Sequence, residues 1–228
     1  MNKLLRHSIL LVAACCISAT ASADDTTVKR IKSVDTDQPL IALTFDDGPN
    51  ELTPKYLELF EKEGIKATFF WKGKSVAGRP ELAKRILAEG HEVGNHSYTH
   101  PNFQKISDEE AVKEVMETQE VIQEVTGFKP TLFRAPYIVY TPKLMEILTE
   151  AELQPIDCSV GVKDWHEDTT VELIIERATT EKTKAGTIML MHDWSPKSLA
   201  ALPTIIQQLK AKGYQFVTVS ELLEAAKS

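Results

Sequence analysis

A chain of 228 residues, 43% hydrophobic and 26% charged, has the apolar material for one ordinary domain, and no repeat or low-complexity linker divides it. Its formal charge of −7 makes nucleic acid and anionic membrane surfaces poor partners, whereas a neutral or amine-bearing polymer meets no repulsion. With Cys158 the one cysteine beyond the first 23 residues, an internal disulfide is excluded for a chain trimmed there, which must be held by its own core.

The chain opens with Lys3 and Arg6, a short apolar run from Ile9 to Ile17, and the small residues Ala21-Ser22-Ala23. That is the pattern of a secretory signal peptide cut after Ala23, with an apolar core too short to span a bilayer. The product is then exported, periplasmic or secreted, without a transmembrane segment, and loss of Lys3 and Arg6 takes the formal charge from −7 to −9. Val12-Ala13-Ala14-Cys15 offers an alternative, a lipoprotein processing site leaving a lipid anchor on Cys15. Residues 24–38 are polar and charged and read as a mobile lead-in to a single domain over 39–228.

The first strand is the apolar run from Ile41 that ends in Asp46 and Asp47, with Gly48-Pro49 breaking the chain direction. Two adjacent carboxylates at a strand tip repel, so a cation or a raised pKa is expected there. A helix over Thr53–Glu63 stopped by Gly64 follows, then a strand over Lys66–Trp71, a helix over Arg79–Glu89 and a strand over His91–Asn95. Ser107-Asp108-Glu109-Glu110 is a capping box opening the longest helix, Ser107–Val125. A brief strand at Thr131–Phe133, a helix at Leu144–Ala151 and a strand over Leu153–Val160 come next. Helices at Val171–Thr183, Leu199–Lys212 and Glu221–Ala226 separate the last strands, Thr187–Met191 and Gln215–Val219. Seven strands alternating with helices predict an α/β domain of parallel strands, barrel-like or doubly wound, whose active site lies at the C-terminal strand ends.

Chemistry-bearing residues recur at those ends. His96 and His100 in His-Ser-Tyr-Thr-His are four apart, which places both imidazoles on one side of a helical turn. With Asp47 they make a two-His, one-carboxylate set suited to zinc or a similar divalent ion. His91 has no such partner and reads as structural. Arg134, at another strand end, can hold an aspartate ionised and oriented. Asp164-Trp165 offers a carboxylate and an aromatic wall for a sugar ring. His192, at the tip of Ile188-Met189-Leu190-Met191, is a general-acid candidate, and Asp193 beside it reads as a local capping or turn residue. Cys158 reads as a buried structural thiol.

Taken in order, Thr44-Phe45-Asp46-Asp47-Gly48-Pro49, His96-Ser97-Tyr98-Thr99-His100, Arg134-Ala135-Pro136-Tyr137, Asp164-Trp165 and Leu190-Met191-His192-Asp193 resemble the polysaccharide deacetylase family, the NodB-homology carbohydrate esterases. The resemblance runs from about Leu40 to the C-terminus. It implies a distorted (β/α) barrel of about seven strands acting as a monomer on an acetylated glycan such as chitin oligomers or peptidoglycan. It makes Asp46 the general base, oriented by Arg134, and Asp47, His96 and His100 the ligands of a divalent metal, usually zinc, with cobalt a substitute. His192 would be the general acid, Leu190 would line the acetyl pocket, and the Tyr137 backbone N–H would hold the oxyanion. Two departures stand out. Gly161 occupies a place where the family often has a second acid three positions before Asp164, leaving Asp164 to tune His192 alone or differently. Ile138-Val139-Tyr140 follows Tyr137 where Gly is common, adding bulk to the substrate groove.

Overall fold

The structure, a computed structural model, describes residues 28–226; the leader reading and its Cys15 alternative lie outside the described residues. Among the described residues eight short strands carry the fold: β1 (Leu40–Asp46), β2 (Thr68–Trp71), β3 (Glu92–Asn95), β4 (Leu132–Phe133), β5 (Gln154–Pro155), β6 (Val160–Gly161), β7 (Thr187–His192) and β8 (Gln215–Val217). Between them run α1 (Thr53–Glu63), α2 (Gly73–Gly78), α3 (Pro80–Ala88), α4 (Asp108–Thr126), α5 (Pro142–Glu150), α6 (Val171–Thr179), α7 (Pro196–Ala211) and α8 (Val219–Ala225). Every strand pair is parallel, in the order β5-β4-β3-β2-β1-β7-β6, and the sheet curls into a half-barrel wrapped by helices. One edge of β1 carries β7 along Ile41–Asp46, while the other is divided between β8 at Leu40–Ala42 and β2 at Thr44–Asp46.

β1 is buried almost throughout, and its period of two sorts the side chains. Ile41, Leu43 and Phe45 face the main core, where Phe45 meets Tyr56, Phe60 and Phe69 at ring centroids 5.4–5.5 Å apart. Ala42 instead packs with Phe70, Ile188 and the α8 residues Val219 and Leu222, which plug the barrel floor. Thr44 and Asp46 continue that same face upward, so the barrel interior turns polar toward the C-terminal strand ends. The capping box of α4 forms as expected, with Glu110 N–H donating to Ser107 Oγ at 3.2 Å and Ser107 N–H to Glu110 Oε2 at 2.9 Å.

Two expectations need correction. The single strand over Leu153–Val160 is two strands on opposite edges of the sheet, β5 and β6. The chain turns between them at Asp157, whose carboxylate takes the Cys158 N–H at 2.7 Å and ends the ladder. The lead-in is also not loose from Val28 onward. Ile31 donates to Pro155 O at 3.0 Å and accepts from Asp157 N–H at 2.7 Å, and Val34 N–H reaches Gly186 O at 2.9 Å. This segment fastens the β5 side to the start of β7, across the gap where the barrel does not close.

Gly186 makes that closure possible: its φ is +79°, and a Cβ there would lie 1.8 Å from Val34 O. Gly186→Ala is expected to cost about 2–4 kcal/mol, combining the left-handed penalty with overpacking. Gly213→Ala, at φ +89° with nothing within 4 Å, should cost only about 1–2 kcal/mol. Urea midpoints of the two variants check the difference; equal losses would contradict the fastening role.

Candidate active site

The polar end of β1 is organised by a fully buried arginine. Arg134, just past β4, sends Nη1 to Asp46 Oδ1 at 2.8 Å and to Thr44 Oγ1 at 2.6 Å. Nη2 and Nε reach the carbonyls of Asp157 and Ile156 at 3.0 and 3.3 Å, and the guanidinium lies 4.1 Å from the centroid of the Phe70 ring. Asp46 is thereby held from across the barrel with one oxygen committed and the other toward the cleft, 3.8 Å from His96 Nε2.

Asp47 takes φ +78°, which turns its carboxylate away from its neighbour's. Its Oδ1 lies 3.5 Å from His100 Nε2 and 4.0 Å from His96 Nε2, and has no hydrogen-bond partner although buried. A buried carboxylate oxygen left without a donor calls for a cation. His96 Nδ1 sits 2.7 Å from Arg134 O; a carbonyl only accepts, so Nδ1 carries the proton and the Nε2 lone pair faces the cleft. Burial, reinforced by His96, pushes His100 down to about 4 against the pull of Asp47, so its imidazole is neutral at neutral pH. For Asp47, burial raises the pKa, but His96, Lys72, His100 and the Trp194 N–H outweigh it and bring it down to about 2. A carboxylate and two imidazoles, with ligand atoms within 4.8 Å of one another, fit a tetrahedral divalent ion, whose ligands stand about 3.3 Å apart.

The His-Ser-Tyr-Thr-His segment is not a helical turn, contrary to its spacing. It is a loop with Ser97 at φ +65° and His100 at φ +67°. Asn95 Oδ1 accepts from Ser97 N–H, Ser97 Oγ from His100 N–H, and the Glu114 carboxylate on α4 from the Tyr98 and Thr99 N–H groups at 2.7 and 2.8 Å. Side-chain acceptors thus replace helical carbonyls, and the imidazoles meet at 5.0 Å between centroids. Four of the seven non-glycine left-handed residues among the described residues, Asp47, His100, Tyr137 and Ile138, line this cleft.

On the other side, β7 aligns His192 with Asp46 on β1. Asp164 alone grips His192: Oδ1 meets Nδ1 at 2.7 Å, and Oδ2 accepts the His192 backbone N–H at 2.8 Å and the Ser198 hydroxyl at 2.5 Å. Burial lowers the His192 pKa, yet the hydrogen bond and charge of Asp164, with Asp46 and Asp47 behind it, raise it on balance. Gly161 leaves this grip untouched. The cleft between these groups has a volume of about 410 Å³; exposed Tyr137 and Trp165, and Leu190, line its walls. Tyr137 sits at φ +57° with its ring 4.7 Å from that of His100. Of the three bulky residues after Tyr137, only Ile138 lines the cleft; Tyr140 turns beneath it and its hydroxyl binds Ala135 N–H and Ile156 O.

Two participants, Trp194 and Lys72, were not singled out by sequence reasoning, and a third, Asp193, was given another role. Trp194 donates its indole N–H to Asp47 Oδ2 at 3.0 Å, and Lys72 Nζ stands 3.4 Å from Asp47 Oδ1. Asp193 is not a local cap: fully buried, it accepts from Asn50 Nδ2 and Thr53 Oγ1, each at 2.5 Å, and so pins the Asp-Asp-Gly-Pro loop from far along the chain. Burial pushes its carboxyl up to about 7. A Cβ on Gly48 would strike its Oδ2 at 2.4 Å, the one signal the loop's glycine carried. His91 is buried and accepts Ala67 N–H, and burial lifts the half-buried Cys158 thiol to about 11, so neither serves the site.

Residues 33–156 match the family model described as polysaccharide deacetylase. The chain belongs to the polysaccharide deacetylase family. It is 40% identical over 183 residues to the peptidoglycan-N-acetylglucosamine deacetylase PgdA of Listeria monocytogenes, covering 80% of this chain but 38% of that protein. It is 39% identical over 197 residues to the peptidoglycan-N-acetylmuramic acid deacetylase PdaC of Bacillus subtilis, covering 86% and 41%. The chain thus spans about two-fifths of the length of these two relatives. Among solved structures, a pseudoenzyme of carbohydrate esterase family 4 from Bacillus anthracis superposes with a TM-score of 0.81 at 30% identity, covering 87% of this chain and 70% of that one. Family membership therefore leaves activity to be argued from this chain's own residues.

Because protonated His192 is stabilised by the Asp164 carboxylate, Asp164→Asn is expected to move the His192 titration to lower pH. NMR titration of the imidazole in the metal-free protein reads this directly, and an unmoved midpoint would refute the assignment.

Proposed function

We propose that the protein is a metal-dependent hydrolase that removes N-acetyl groups from an exported, peptidoglycan-type glycan and releases acetate. The observation that carries this reading is the placement of the Asp47–His96–His100 group between Asp46 and His192, each held in position by its own buried partner, Arg134 or Asp164. A divalent ion there, zinc being suited to a two-His, one-carboxylate set, would supply positive charge that lowers the pKa of water and polarises the acetyl carbonyl.

The chain's residues divide the remaining work. Asp46, with one oxygen committed to Arg134, takes the proton of the attacking water through the other. The left-handed backbone at Tyr137 presents its N–H to the oxygen that gains charge as the carbonyl carbon becomes tetrahedral. His192 then delivers a proton to the sugar nitrogen as the C–N bond breaks, because an amide anion cannot leave unaided. Water has added its oxygen to the acetyl carbon, and acetate and a free amine depart. Leu190 flanks the acetyl methyl, and Trp165, 58% exposed at the rim, offers an apolar face to the sugar ring.

Peptidoglycan is favoured over chitin or acetylated xylan because the relatives above are named for it, and a wall substrate agrees with an exported chain. Among the described residues no helix is long and apolar enough to cross a membrane. A non-catalytic role, as in the Bacillus anthracis pseudoenzyme, is disfavoured: glycan binding needs neither the Arg134-held Asp46 nor the Asp164-held His192.

Acetate release from peptidoglycan fragments, chitin oligomers and acetylated xylan tests the proposal. Chelation should abolish release and zinc restore it, and Asp46→Asn should lower kcat about 10²–10⁴-fold with little change in metal content. Activity indifferent to Asp46→Asn, or no release by a protein with metal bound, would contradict it. His192→Ala losing amide but not ester hydrolysis would confirm that the proton is needed at nitrogen.

A further inference from the structure

Asp47 must offer one oxygen to a cation while its side chain remains free to rotate, unless something fixes the other. That something is Trp194. An indole N–H donates and cannot accept, and it lies 3.0 Å from Asp47 Oδ2, leaving Oδ1 as the buried oxygen without a hydrogen bond. We infer that Trp194 is a positioning residue that holds Asp47 as a one-oxygen metal ligand and couples that ligand to the wall beside His192. The inference rests on the metal-site reading above.

The backbone at Trp194 is itself fixed. The residue lies two positions past the end of β7, in a turn closed by Ser195 N–H on His192 O at 3.2 Å. The Tyr56 hydroxyl anchors this turn on Ser195 O at 2.6 Å, and Ser195 caps α7 immediately after. The indole stands 5.2 Å from the His192 ring at an interplanar angle of 41°. One side chain therefore touches both the ligand and the proposed acid. Lys72 approaches the opposite oxygen at 3.4 Å but is part-exposed and can withdraw into water when a cation arrives. The Trp194 N–H has no reason to withdraw, since it favours the charged carboxylate that a metal also requires.

Trp194→Phe separates the two roles, because it keeps an aromatic wall and deletes the N–H. Zinc affinity, measured by competition with a chromophoric chelator, should fall about 10–100-fold, the usual loss when a partner of a metal ligand is removed. The melting temperature of the metal-free protein should be unchanged, while its rise on adding zinc shrinks. Equal zinc affinity in both proteins, or a change confined to KM, would overturn the inference and leave Trp194 a substrate wall. Failure of the unsubstituted protein to bind zinc would overturn the proposed function and this inference with it.

Discussion

The contact between Arg134 and Asp46 is the constraint on which the rest of the site depends. A guanidinium with no solvent contact is tolerated only when its donors are met, since stripping an ion of water costs several kcal/mol. Here its donors are met by Asp46, Thr44 and two carbonyls beyond β5, and its face lies on Phe70. These partners come from β1, β2 and the chain after β5, so the ion pair braces the curled sheet across its interior. The backbone of the same residue sets the tautomer of His96 through its carbonyl. One buried residue thus fixes one Asp46 oxygen through its side chain and, through its own carbonyl, turns the His96 imidazole toward the cleft.

Two adjacent aspartates can then hold different roles. The extended backbone keeps Asp46 on the barrel interior, where Arg134 commits it, and the left-handed turn at Asp47 sends the next carboxylate toward the imidazoles. Opposite them, Asp164 does for His192 what Arg134 does for Asp46, and its grip through backbone, ring and Ser198 makes a second acid at position 161 unnecessary. The polar side chains of the cleft are each fixed from behind, which leaves little reorganisation for the proposed reaction.

Much of this was legible in the sequence, because strand ends betray themselves: apolar runs stopping at Asp46, His96, Arg134 and His192 mark where polar groups can be buried at a parallel sheet's edge. What escaped was set by contacts remote in sequence. Nothing near Asp193 says that it answers Asn50 and Thr53, and nothing near Trp194 says that its N–H meets Asp47. The four-residue spacing of His96 and His100 invited a helical reading, but Asn95, Ser97 and Glu114 supply acceptors that stabilise a left-handed loop instead. Likewise the apolar-leaning run Leu153–Val160 hid a change of sheet edge, since a short run of this kind carries no register or strand order of its own.

The proposed site depends on Asp46 standing apart from the Asp47, His96 and His100 group. Anomalous diffraction at the zinc edge from zinc-soaked crystals tests it most directly. The predicted result is one peak about 2.0–2.2 Å from Asp47 Oδ1, His96 Nε2 and His100 Nε2, with Asp46 still on Arg134. A peak ligated by Asp46, or zinc bound away from the two imidazoles, would contradict it.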